Sequence, residues 1–216
     1  VYKRQALFDA IYSHWRNLPG NERPRFYLHG LSLGAFGSAD TMDFMSILSD
    51  PIDGAMWSGP PFPSRFWNQL TDGREPGSPQ WLPVFRDSSL VRFMNQNGFP
   101  DIEAAEWGPF RAVYLQYASD PMTFFSTDLA FAPDDWLGED RGPDVSPDLE
   151  FYPLVTFLQV AMDMAVSMGV PRGYGHNFAA KHYIDAWIAV TAPNGWTEAD
   201  TTRLKTHFED FDSSPL

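Results

Sequence analysis

The chain has 216 residues, 44% apolar and 20% charged, the composition of a folded protein with room for one domain and a substantial core. A formal net charge of −13, with no cluster of Lys and Arg to offset it, argues against nucleic acid or anionic lipid as a partner. The absence of cysteine excludes disulfides, thiolate catalysis and cysteine-ligated zinc, and no apolar run approaches the ~20 residues that span a bilayer.

Leu7, Ile11, Trp15 and Leu18 recur at spacings of three and four, which predicts an amphipathic helix over 2–17, stopped by Leu18-Pro19-Gly20. No capping residue precedes it and no signal-peptide pattern is read there, so the helix looks cut into. Arg25 to His29 reads as a strand and Leu33 to Leu48 as a helix, whose small residues Gly34, Ala35, Gly37, Ser38 and Ala39 suit close packing. Between them stands Gly30-Leu31-Ser32-Leu33-Gly34, a Gly-x-Ser-x-Gly turn from strand to helix and the form of a nucleophile elbow. Such a turn holds its serine in strained backbone, and Cβ atoms at Gly30 and Gly34 are expected to crowd it. Gly54 to Ser58 predicts a short buried strand ending at Gly59-Pro60-Pro61.

Residues 60–110 show no long period, and read as an excursion with short helices over one face of the sheet. Its aromatics, Phe62 and Trp67 among them, together with Trp57 just before it, suggest a lid or the wall of an apolar substrate pocket, with plain packing of a long loop as the alternative. Arg111 to Ala118 is the strongest strand pattern, and it runs into Ser119-Asp120-Pro121. A second polar excursion covers 126–150. Leu154 to Met168 predicts an apolar helix packed on the sheet. Gly173-Tyr174-Gly175-His176 is a glycine-flanked loop before a helix from Phe178 to Val190, and Thr197 caps a final charged helix.

A serine hydroxyl needs a base, and a neutral imidazole held by a carboxylate is suited to that task near pH 7. Ser32, Asp120 and His176 occur in the order nucleophile, acid, histidine, the order of α/β-hydrolases. The rival histidines are less suited. His14 precedes the nucleophile, His29 lies along the strand and is read as a packed neighbour, and His182 and His207 fall within helices. Asp50 and Asp53 are the alternative acids. The backbone N–H of Leu33 is the expected oxyanion donor, and little precedes the elbow to supply a second. The acidic stretch Asp134, Asp135, Glu139, Asp140, Asp144 and Asp148 lacks EF-hand spacing and reads as a solvated loop, so neither a metal nor another cofactor is expected.

Several blocks resemble a known family: Arg23 to Leu28 leading into Ser32 to Ala35, Gly54 to Pro61, Val113 to Pro121, Ser146 to Leu149 with Tyr152-Pro153, Met168 to Pro171, Gly173 to His176, and His182 to Trp187. The resemblance is to the α/β-hydrolase catalytic domain that follows a multi-spanning membrane domain in bacterial membrane proteins, and it covers most of the chain. It implies Ser32, Asp120 and His176 as the triad. It also implies a membrane-associated setting, with an extracytoplasmic one open. Two positions depart, since the family often carries Glu before the nucleophile and His at position 174, where this chain has Leu31 and Tyr174.

The expectation is therefore a single α/β-hydrolase domain over 1–216, with a mostly parallel sheet flanked by helices. The strands that precede the elbow in that fold are expected to be missing, supplied by an N-terminal segment or a second chain. The expected activity is hydrolysis of an ester with an apolar acyl or aryl group. Acyl transfer through the same triad and a non-catalytic interaction module are the alternatives.

Overall fold

The computed structural model describes residues 2–42, 47, 49–138 and 140–213. Among these residues four short strands form one parallel sheet: Tyr27–Leu31 (β1), Gly54–Ser58 (β2), Val91–Met94 (β3) and Arg111–Leu115 (β4), in the order β1-β2-β4-β3. Leu31 pairs with Ser58, Ser58 with Leu115 and Met94 with Leu115, so the C-terminal ends of all four strands lie in one row. That row is where loops of an open parallel sheet converge on a ligand.

Strands β2, β3 and β4 are largely buried on both faces, as strands of a parallel sheet are, while β1 is part-exposed. Successive side chains of a strand alternate between faces, and the two cores divide accordingly. Ala55, Trp57, Val91, Phe93, Ala112 and Tyr114 face the helices Tyr2–Arg16 (α1), Leu33–Thr41 (α2) and Arg65–Asp72 (α3). Met56, Met94, Val113 and Leu115 face Ala186 and Val190 of the helix Ala180–Thr191 (labelled α6 below). Ala35 and Ala39 bring α2 close to the sheet. Each large apolar side chain buried in these layers contributes about 1.5–3 kcal/mol relative to exposure.

The remaining helices follow in chain order: Pro121–Phe124 (α4), Val155–Val166 (α5), then α6, Glu198–His207 (α7) and Glu209–Ser213 (α8). Thr197 closes a capping box with Asp200 at the start of α7. Asp212 of α8 accepts hydrogen bonds from the N–H groups of Ala180 and Lys181, which caps α6 from outside its own sequence.

Four expectations are corrected by this arrangement. The packed face of α1 is Phe8, Tyr12 and Trp15, while Leu7 and Ile11 are 61% and 47% exposed. The elbow strand is β1, two residues later than read, because Phe26 is held by Asp53: its N–H donates to Asp53 Oδ2 and its carbonyl accepts from the Asp53 N–H. The excursion 60–110 contains a strand as well as helix, since β3 pairs with β4 and closes the far edge of the sheet. Helix α5 does not pack on the sheet; it lies against α4 and the turn 127–130, with Val155, Leu158, Met162 and Val166 exposed. The expected helix beyond Met42 falls largely outside the described residues, and so does Glu139 of the acidic stretch.

Candidate active site

The turn after β1 carries the local strain that an elbow requires. Ser32 has φ 55° and ψ −121°, a conformation that costs a non-glycine residue about 1–3 kcal/mol. Two backbone bonds hold it there: the Ser32 N–H donates to the Ser58 carbonyl at 2.9 Å, and its carbonyl accepts from the Phe36 N–H at 3.0 Å. Gly30 makes the turn possible, because a Cβ there would lie 2.2 Å from the Gly34 carbonyl carbon and 2.4 Å from the Ala35 nitrogen. Gly34 is different. Beyond its own helix, nothing lies within 4 Å of the position a Cβ would take, so the expectation of crowding holds for Gly30 alone.

Asp120 follows the end of β4 and caps the short helix α4. Its Oδ1 accepts from the Met122 N–H at 2.9 Å, and its Oδ2 accepts from the Thr123 hydroxyl at 3.1 Å and from His176 Nδ1 at 2.8 Å. The carboxyl group is 0% exposed and the imidazole residue 4%. Burial raises the Asp120 carboxyl above the usual carboxylate range, and the bonds from His176, Met122 and Thr123 oppose that shift by favouring the ion. With the carboxylate accepting at Nδ1, the neutral ring carries its proton there and presents a lone pair at Nε2. That Nε2 is buried and, among the described residues, has no hydrogen-bond partner, Ser32 Oγ included. A buried nitrogen left unpaired calls for an explanation, and a catalytic base is one.

The imidazole rests on the same strand end that anchors Ser32. Gly59 has φ 49°, and a Cβ on it would fall 2.7 Å from His176 Cε1 and 2.9 Å from Nδ1. Gly59 directly follows Ser58, the residue that accepts from Ser32. The lack of a side chain at Gly59 thus lets the histidine ring lie against the backbone beside the elbow. Phe178 completes the seat, edge-on to the ring at 5.8 Å between centroids.

The other candidates are spent elsewhere. Asp50 pairs with Arg23 and Arg16, and Asp53 holds Phe26. His29 is exposed on β1, with Nδ1 3.0 Å from the Met56 carbonyl. His182 is buried, and desolvation lowers its pKa to about 4. Its Nδ1 is hydrogen-bonded to the Tyr117 hydroxyl at 2.6 Å, an oxygen that accepts from the Ala179 N–H. In the acidic stretch, Asp135 pairs with Arg74 and Asp144 binds Ser119.

Trp57 and Trp67 do not line a substrate pocket. Trp57 is fully buried in β2, donating to the Ser38 hydroxyl and packed on Tyr114, and Trp67 donates to the Gln116 side chain from within the core. Their indole rings supply core volume with a satisfied N–H, which sequence composition does not distinguish from a pocket wall. Phe62 is half-buried, edge-on to Phe125 at 5.0 Å. Sequence reasoning missed the seat formed by Gly59 and the bond from Thr123. In the sequence Gly59-Pro60 reads only as a strand stop, although a glycine at the end of a strand also marks close approach of another group.

Comparison with protein-family models gives a match over residues 2–204 to one described as an alpha/beta-hydrolase family. No curated protein and no solved structure matches.

Proposed function

The chain belongs to the alpha/beta-hydrolase family, and from that premise we propose that it is a serine hydrolase that cleaves carboxylic esters through an acyl-enzyme. The observation that carries this reading is the buried Asp120–His176 pair, with an unpartnered Nε2, seated on Gly59 next to the elbow strand end. In the first step His176 Nε2 takes the Ser32 hydroxyl proton as Oγ bonds to the ester carbonyl carbon. The carbonyl oxygen becomes an oxyanion, which the Leu33 N–H at the start of α2 stabilises together with the positive end of that helix. Collapse expels the alcohol, which receives the proton from Nε2. Water then gives a proton to Nε2 and attacks the acyl carbon, the carboxylic acid leaves, and Ser32 regains its proton. Asp120 keeps the ring in the tautomer that both steps need. Phe62 is the aromatic residue proposed to meet the acyl or aryl group.

The sheet edge extends the proposal. Among the described residues β1 pairs on one side only, with β2, and His29 and Leu31 are exposed. A further strand, from an N-terminal segment or a second chain, is proposed to pair with the outer side of β1 and to bring the second oxyanion donor. Losing one such donor costs about 10²–10³ in kcat.

Hydrolysis of p-nitrophenyl acetate tests the triad. The expected result is that folded Ser32→Ala, His176→Ala and Asp120→Asn each lose about 10⁴ in kcat, while His182→Asn and His207→Ala stay close to the parent. Substantial turnover by folded Ser32→Ala contradicts the assignment.

A further inference from the structure

The two residues that precede the triad's acid and base are bonded to one another. Ser119 stands before Asp120 and Gly175 before His176, and the Gly175 N–H donates to Ser119 Oγ at 2.9 Å. This bond runs beside the Asp120–His176 bond, so the two loops are joined at two successive positions. The Ser119 hydroxyl proton is taken by Asp144 Oδ2 at 2.5 Å, and the same oxygen accepts the Ser119 N–H at 3.0 Å. A hydroxyl whose proton is committed to a carboxylate has its lone pairs free to accept, which fixes the direction of the Gly175 bond.

Asp144 comes from the polar excursion 126–150, which reaches this point by a close approach. A Cβ at Gly142 would lie 2.0 Å from Ala118 Cβ, so only glycine lets the loop lie against the end of the acid strand. Gly175 is buried with φ 54°, and a Cβ there would meet Val170 Cγ2 at 2.9 Å and the Ser167 carbonyl at 3.0 Å. Its N–H therefore has little freedom to seek another acceptor, and leaving it buried and unpaired would cost about 1–3 kcal/mol.

We infer that Ser119 and Asp144 are positioning residues, which set the separation of Asp120 and His176 by tying the histidine loop to the acid turn. The inference rests on the triad reading above. Its mechanism is geometric: a displacement of about 1 Å in a reacting group can cost ~10² in rate. The tie also gives the 126–150 excursion a part in the reaction without contact with substrate.

The test combines ester kinetics with the rate of inactivation by a fluorophosphonate. Ser119→Ala and Asp144→Ala are expected to lower kcat and the inactivation rate about 10–100-fold, the range found when groups that orient a reactive ligand are removed, with KM within about twofold. Ser119→Thr, which restores the hydroxyl, and Asp144→Asn, which restores an acceptor, are expected to recover most of the loss. In an Asp120→Asn background, adding Ser119→Ala should cost less than about twofold, because the pair it positions is already broken. A merely structural role predicts the full loss again in that background, or a fall in thermal stability with kcat unchanged, and either result overturns the inference while leaving the triad intact. A parent protein whose Ser32 does not react with the probe overturns the triad reading, and the positioning role with it.

Discussion

At the scale of single residues, the elbow depends on what two glycines meet. Both belong to the same motif, but only Gly30 sits where a methyl group would overlap backbone atoms of the following helix. Gly30→Ala is expected to destabilise the protein by about 3 kcal/mol or more, since the clash is with backbone that cannot turn aside. Gly34→Ala is expected to raise stability by about 0.5–1 kcal/mol, because the space is open and alanine favours a helix. Urea denaturation of the two variants checks this, and equal losses would contradict it. The motif spacing made the strained turn at Ser32 legible in the sequence, and the chain order pointed to Asp120 and His176, which the structure joins by a hydrogen bond. What spacing could not convey was which small residue is required by contact and which is not. The same limit applies to Trp57 and Trp67: an indole reads alike in a core and in a pocket until its neighbours are known.

At the scale of elements, strands with continuous apolar patterns were legible, and Gly54–Ser58 appears with the bounds its composition predicts. β3 was not, because four residues flanked by turns carry too little pattern, and its pairing with β4 decides its conformation. Helix α5 was legible as a helix but not in its packing. Its apolar sequence suggested burial, yet only one side meets α4 and the 127–130 turn. Strand β1 carries the prediction at this scale. Phe26 and Ser32 bond toward the β2 side, so with a period of two the N–H groups of Tyr27, His29 and Leu31 face the outer edge. These three amides are expected to exchange rapidly with solvent, and those of Leu28 and Gly30 slowly, until a strand pairs with the edge and protects them. Slow exchange at all five in the chain alone would contradict an open edge.

At the scale of the whole molecule, the aligned C-terminal ends of the strands bring the turn that carries Ser32 and the bonded Asp120–His176 pair, from segments far apart in the chain, to the same edge of the sheet. The sheet order makes this possible: β2 lies between β1, which leads into Ser32, and β4, which leads toward Asp120, and its end supplies the backbone against which His176 lies. The acidic balance of the chain agrees with a neutral ester as substrate rather than a polyanion. The most direct test is intact-mass and peptide analysis after reaction with a fluorophosphonate. One adduct is expected, on Ser32, absent from Ser32→Ala and formed far more slowly by His176→Ala. An unreactive protein, or an adduct on another residue, would contradict the assignment of Ser32 as an activated nucleophile.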